Sequence, residues 1–321
     1  MIISVRHATR RRAARQLSLL TVLAAALTGC AGGAGSPGGG ERGGAGIAHA
    51  PGKTTVSPRP AHPSPARKPP TMAPGPGGLT PVFTRGPASG GKTVALTFDA
   101  DMTADQGPRA AGGERFDNPA LIATLKRLEV DATIFMTGRW AEEYPDQAKA
   151  IGSDPRFEVA NHSYSHHAFT TPCYGLPALD RPAMAADVRR AFDAFRAAGV
   201  RNVVPYFRFP GGCYDDAALR ALAPAKVTAV QWDVVSGDAF ATDAGAVAEQ
   251  VLAGVKPGSL VVLHCTRSAA PVTEEAVRTI VPELRRRGYR FVKVSELMSG
   301  RGGPAPARSG QPSGHPSAQA G

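Results

Sequence analysis

The sequence predicts an α/β fold built on a parallel, buried sheet, either a barrel or an open doubly wound sheet. Three observations predict it. Short apolar runs such as Val94-Ala95-Leu96-Thr97-Phe98 and Ser259-Leu260-Val261-Val262-Leu263 lack the polar alternation of a half-solvated strand. Segments with helical periodicity and recognisable starts stand between such runs. Strand and helix then alternate about seven times between residues 91 and 300.

Taken in order, the first strand closes on Asp99-Ala100-Asp101, delivering two carboxylates within three residues. On an extended backbone Asp99 and Asp101 point the same way, so both can face one pocket; the plain alternative is a solvated loop. Asn118-Pro119 then supplies a helix cap followed by Pro in the first turn, with Leu121, Ile122, Leu125 and Leu128 at helical spacing. A second strand is expected from Ala132 to Thr137, with a weaker helix after Trp140. A short third strand over 157–160 leads into Asn161-His162. Met184, Val188, Phe192 and Phe195 line one face of a long helix after Pro182. The fourth strand is expected from Val203 to Phe209, and the fifth from Val227 to Trp232 after a short helix near 215–222. A helix from Thr242 to about Val255 precedes the strand at 259–263. A last helix over about 274–287 and a closing strand at 290–294 complete the pattern.

The ends of the chain read differently. Arg6, Arg10, Arg11, Arg12 and Arg15 precede an apolar run from Leu17 to Leu27. A basic region followed by a short apolar stretch and small residues describes a secretory signal over 1–29, too short to span a membrane. Leu27-Thr28-Gly29-Cys30 resembles a bacterial lipobox, which implies lipidation of Cys30 and anchoring to the outer face of the cell membrane. The competing reading is an ordinary cleaved signal with a chance Cys. Residues 30–90 and 301–321 are dominated by Gly, Pro, Ala and Ser, and read as a disordered tether and a disordered tail. That leaves 91–300 as one domain with ample core.

Charge follows the same division. The net charge of +11 comes from +5 in residues 1–30, +5 in 31–90 and +2 in the tail. Residues 91–300 hold 24 Lys and Arg against 25 Asp and Glu, a net of −1. A nucleic-acid-binding domain would carry its own basic face, so that class is disfavoured.

Residues 91–300 contain four histidines, His162, His166, His167 and His264. His162 and His166 are four residues apart, a spacing that puts two imidazoles on one face of a helical turn and lets them share a metal. A zincin-type peptidase would need Glu after the first His, where this chain has Ser163, so peptidase chemistry is disfavoured.

Together the motifs resemble those of the polysaccharide deacetylases, the NodB-homology carbohydrate esterases. The resemblance spans nearly all of 91–300 and implies a distorted (β/α)7-type barrel. Thr97-Phe98-Asp99 is similar to the family's first motif, making Asp99 the general base; Ala100 replaces the family's second Asp, and Asp101 is expected to take over as metal ligand. His162 through His166 match the next motif and imply two further ligands. Arg208-Phe209-Pro210-Gly211-Gly212 is similar to the third: Arg208 would hold the base charged, and Pro210 and Gly211 would line the substrate side, with the Gly211 N–H on the oxyanion. Gly211 stands where the family carries Tyr, which removes a wall of the groove. The fourth motif is degraded, with Val235 and Ala239 at characteristic positions, although Asp238 remains and is expected on the substrate side. Val262-Leu263-His264 matches the fifth and implies His264 as general acid, tuned by Asp238 or Asp233.

The resemblance implies a divalent metal, Zn foremost with Co, Ni or Mn as alternatives, and a glycan substrate; a monomer is expected, attached to the membrane through the lipid anchor that the lipobox implies at Cys30. It implies hydrolysis of N-acetyl groups on a wall glycan or chitin-like oligosaccharide; an O-acetyl esterase and a catalytically silent glycan-binding lipoprotein are the competing readings. Cys173, Cys213 and Cys265 follow Cys30, so in an oxidising compartment one pair forms a disulfide and one thiol is left over. Cys173–Cys213 is the favoured pair, because it would tie the loop after the His pair to the Arg208 loop.

Overall fold

The computed structural model describes residues 68–300. The expected signal peptide, the lipid anchor at Cys30, the tether as far as residue 67 and the tail over 301–321 lie outside the described residues. Among the described residues no helix is long and apolar enough to cross a membrane.

The order runs β1 (Val82–Phe83), β2 (Thr93–Ala100), α1 (Gly107–Ala111), α2 (Pro119–Arg127) and β3 (Ala132–Met136). Then come α3 (Gly138–Glu143), α4 (Pro145–Ser153), β4 (Phe157–Asn161), α5 (Arg181–Ala197), β5 (Val203–Phe207), α6 (Asp216–Leu222) and β6 (Thr228–Val230). The remainder is β7 (Val234–Val235), α7 (Ala244–Gly254), β8 (Ser259–His264), α8 (Thr273–Arg286), β9 (Arg290–Phe291) and α9 (Val294–Met298). Local chemistry starts the helices where expected: Asn118 Oδ1 accepts from the Leu121 N–H, and Asp215 Oδ1 from the Ala218 N–H.

All strand pairs are parallel, in the order β1-β6-β5-β4-β3-β2-β8-β7, with β9 against the start of β2. The β2 strand is buried along its whole length and has β3 on one side and β8 on the other. Its side chains alternate as extended geometry requires. Leu96, Phe98 and Ala100 join the outer core under the helices, whereas Ala95 joins an inner cluster with Phe83, Phe135, Ala160, Tyr206, Val230 and Leu260. An inner cluster drawn from β1 through β8 requires a curled sheet, the distorted (β/α) barrel expected from the sequence. Thr97 and Asp99 share the parity of Ala95 and therefore face the barrel interior.

Two expectations need correction. The tether does not extend to residue 90: Val82 and Phe83 pair with Ala229 and Val230, the Tyr206 hydroxyl donates to the Pro70 carbonyl, and the Gly86 N–H donates to the Gly258 carbonyl. Gly- and Pro-rich composition concealed this, because edge pairing uses main-chain groups and only one buried ring. The closing strand is likewise shorter than expected, since Val294 opens α9, whose Val294 N–H donates to the Thr133 hydroxyl.

If residues 82–83 belong to the fold, Phe83→Ala destabilises the protein by about 3 kcal/mol, the scale of a buried aromatic truncation. Urea unfolding measures it, and a loss below about 0.5 kcal/mol would return this residue to the tether.

Candidate active site

The C-terminal ends of the strands carry the chemistry, as parallel α/β folds require. Asp99 is the penultimate residue of β2 and lies in register beside His264 at the end of β8. Arg208 follows β5 and reaches across the barrel. Its Nη1 donates to Asp99 Oδ1 at 2.6 Å, its Nη2 to the Thr97 hydroxyl at 2.8 Å, and its Nε to the Val230 carbonyl at 3.2 Å. The guanidinium is fully buried and lies 3.9 Å from the centroid of the Phe135 ring. Burial works against the Asp99 carboxylate, but the charge of Arg208 prevails and holds its pKa below the usual range.

His162 and His166 do come together, with ring centroids 5.0 Å apart, but not on the helical turn that their spacing predicts. The segment after β4 is a non-helical turn in which Ser163 (φ 70°) and His166 (φ 56°) are left-handed. Its strain is held by side chains: Asn161 Oδ1 accepts from the Ser163 N–H, Ser163 Oγ from the His166 N–H, and Asp187 Oδ1 from the Tyr164 N–H. Asn161 is itself fixed by donating to the Val188 carbonyl in α5.

The donor set fits a divalent cation. His162 Nδ1 lies 3.0 Å from the Arg208 carbonyl, which can only accept, so this nitrogen carries the proton. The lone pair of His162 Nε2 is then left facing Asp99 Oδ2 at 3.6 Å, two electron-rich atoms with no proton between them. Burial keeps His162 below the ordinary His range and pushes His166 down to about 4 despite Asp101. His166 Nε2 lies 3.9 Å from Asp101 Oδ2. Two neutral imidazoles facing two carboxylates call for positive charge. Among the described residues no three such side chains already close around one point. The contacts exist as two pairs, and Asp101, His162 and His166 are the side chains that would hold a cation. Asp101 lies one residue past β2, where Thr266 fixes it by accepting from its N–H and donating to its carboxylate.

Asp238, not Asp233, partners His264. Its Oδ1 lies 2.7 Å from His264 Nδ1, and its Oδ2 accepts from the His264 N–H at 2.7 Å and from the Thr273 hydroxyl at 2.6 Å. Asp233 instead accepts from the Leu260 N–H and the Ser259 hydroxyl. Burial opposes charging of His264, but the Asp238 hydrogen bond outweighs it and raises its pKa to about 9. A carboxylate and an imidazole thus sit side by side, each kept charged by a different partner. Asp238 was expected on the substrate side; here its carboxylate is taken up by these partners.

The 3₁₀ turn Pro210–Gly212 follows Arg208, with Pro210 buried and Gly211 left-handed at φ 63°. A Cβ on Gly211 would lie 2.6 Å from Cys173 Sγ and 3.2 Å from Tyr174 Cδ2. The expected disulfide joins Cys173 to Cys213 and fills that space. Cys265 is free and buried, and burial pushes its thiol up to about 12. Sequence reasoning missed Asn161, Asp187, Thr97, Thr266 and Thr273. Thr97 and Thr266 stand within two residues of site residues, a hint that was there to read; Asp187 lies on a distant helix and gave no signal.

Replacing Asp238 with Asn should drop the His264 titration, followed by imidazole NMR, from about 9 to the ordinary His value of about 6.5 or below. The raised folded-state pKa means that this pair stabilises fully below pH about 6.5 and loses its contribution as pH rises through about 9. The stability gap between wild type and Asp238→Asn should therefore narrow toward alkaline pH. An unmoved titration would show that another group sets the charge of His264.

The polysaccharide deacetylase family model matches residues 86–230. A chitooligosaccharide deacetylase from Bradyrhizobium sp. (strain ANU 289) is 29% identical over 226 residues, covering 66% of this chain and 93% of the relative. A peptidoglycan-N-acetylglucosamine deacetylase from Bacillus cereus is 27% identical over 211 residues, covering 64% and 88%. Among solved structures, a CE4 family pseudoenzyme from Bacillus anthracis superposes with TM-score 0.55 at 25% identity, covering 70% of this chain and 69% of that one. A mutant of that pseudoenzyme with restored enzymatic activity matches at 26% identity, also with TM-score 0.55. The strand order, the match over 86–230 and these relatives agree: residues 86–230 are similar to the polysaccharide deacetylase family.

Proposed function

We propose that this protein hydrolyses N-acetyl groups on a cell-wall glycan or chitin-like oligosaccharide. The observation that carries the reading is the charge pair across β2 and β8: a carboxylate held ionised by Arg208 beside an imidazole held protonated by Asp238. Amide hydrolysis needs one group to take a proton from water and another to give one to the departing amine. Asp99 has Oδ1 committed to Arg208, so Oδ2 is the oxygen that accepts the proton as the water oxygen bonds to the acetyl carbon. His264, with Nδ1 engaged by Asp238, gives its proton from Nε2 to the amine nitrogen as the C–N bond breaks, leaving acetate and a free amino sugar. The Gly211 N–H is assigned to the oxyanion, a contact worth about 3 kcal/mol. Asp101, His162 and His166 are the residues assigned to hold a divalent cation, Zn²⁺ foremost, which when bound would supply Lewis acidity to the acetyl carbonyl and to water. Extracytoplasmic placement through a lipid on Cys30 belongs to the same proposal, and fits the cell-wall substrates named for the relatives.

One observation favours a second reading, a silent glycan-binding protein: pseudoenzymes are among the structural neighbours, and the family's ligand position holds Ala100 here. Acetate release from N-acetylated chito-oligosaccharides separates the two. The deacetylase reading expects release that a chelator abolishes and a divalent metal restores. His264→Gln should lower kcat by about 10²–10⁴-fold, the usual share of one proton-transfer group. Asp101→Ala should weaken metal binding measured by direct titration. A metal-loaded wild type that frees no acetate from any acetylated sugar establishes the silent reading instead.

A further inference from the structure

The end of the barrel away from Asp99 and His264 carries a second concave surface. A groove of about 610 Å³ opens between the C-terminal half of α5 and the segment that leads into β5. Phe192, Val200 and Val203 give it an apolar lining, and Arg189, Arg196 and Arg201 stand around it. Arg201 precedes β5 and Arg208 follows it, so roughly 17 Å of strand separates this groove from the Asp99 site.

Its charge is unlike that of the rest of the fold. Residues 91–300 carry a net charge of −1, and arginines elsewhere, such as Arg115, Arg139 and Arg278, pair with carboxylates. Beside the groove only Arg196 does so, with Asp193. Arg189 and Arg201 are exposed and form no ion pair among the described residues. Lys149 adds a further unmatched charge, for its stem lies 3.6 Å from where a Cβ on Gly199 would stand, next to Val200. Asp154, whose carbonyl accepts from the Asn202 side chain at this end of the fold, has its carboxylate taken by Lys126 at 3.1 Å. Four cations are thus set against one carboxylate that is already engaged.

Like charges held together repel one another, and an anion relieves that repulsion. Arg189 and Arg196 are seven residues apart on one face of α5, about 10 Å along the helix, too far to close on one small anion. The complementary ligand is a chain that carries anions at intervals. Guanidinium forks grip the free oxygens of a phosphodiester, and the Phe192 ring offers apolar contact to the carbon atoms that link one phosphate to the next. A flat membrane surface would meet the rim of such a groove and leave its floor empty.

We propose that this groove binds a linear phosphodiester-linked polyol, seating the protein on an anionic wall polymer while the opposite end of the barrel faces glycan. The proposal stands on the groove alone and does not depend on the hydrolytic reading.

Calorimetric titration of the whole protein with polyglycerol phosphate, at low and at raised salt, tests it. Wild type is compared with the double variant Arg189→Gln/Arg201→Gln and with Arg278→Gln/Arg286→Gln on α8, which removes the same charge elsewhere. The groove variant should raise Kd about tenfold, the combined worth of two exposed charge contacts. Its Kd should also depend less steeply on salt, because fewer counterions are released. The α8 variant should keep the wild-type Kd, and neither variant should alter acetate release from a soluble chito-oligosaccharide. No binding by wild type, or equal weakening in both variants, overturns the proposal while leaving the deacetylase reading untouched. Phosphatidylglycerol vesicles are titrated in parallel. Vesicle binding that the groove variant loses, with no binding to the polymer, assigns the surface to a membrane and overturns the proposal as well.

Discussion

A buried guanidinium against a buried carboxylate is the constraint around which this site is arranged. Taking two charges out of water costs several kcal/mol per ion, and only close contact with full hydrogen bonding offsets it. Arg208 meets that demand with Asp99 at 2.6 Å, the Thr97 hydroxyl, the Val230 carbonyl and the face of Phe135. These partners come from β2, β3 and β6, so the ion pair can form only when the barrel has curled correctly. The same residue then acts a second time through its main chain, because its carbonyl sets which nitrogen of His162 bears the proton. One side chain and one carbonyl therefore fix both the Asp99 carboxylate and the His162 imidazole.

From this pair follows the polarity of the site. Asp99 and His264 are adjacent in register, and each carries a charge that favours the other's. Arg208 on one side and Asp238 on the other pull the two groups toward opposite charge states. Paired titratable groups pushed apart by their environments are how a single fold assigns an acid and a base. Although the fourth motif is degraded, Asp238 alone engages both the main-chain N–H and the ring Nδ1 of His264.

Much of this was legible from residues alone, for reasons that can be stated. Helix starts such as Asn118-Pro119 and Asp215 are local chemistry, and buried parallel strands declare themselves by apolar runs. Asp99, Arg208 and His264 stand at strand ends, where an α/β fold places its chemistry. What escaped was set by contacts distant in sequence. Four-residue spacing suggested a helical turn for His162 and His166, but Asp187 from α5 and the Asn161 side chain impose left-handed residues instead. Composition hid β1, since two residues in a Pro- and Gly-rich stretch have no periodicity to read. Asp233 and Asp238 were equal candidates until the fold directed one to β8's start and the other to its end.

The unpaired thiol at Cys265 has a bearing on how the disulfide survives. Exchange requires a thiolate in reach of a sulfur–sulfur bond. Cys265 is walled off from solvent with its ionisation pushed up to about 12, so at neutral pH almost none of it is nucleophilic. An odd number of cysteines among the described residues therefore creates no scrambling hazard once the barrel has formed. The hazard is confined to the unfolded chain, where Cys265 competes with Cys173 and Cys213 and correct pairing depends on how soon the fold conceals it.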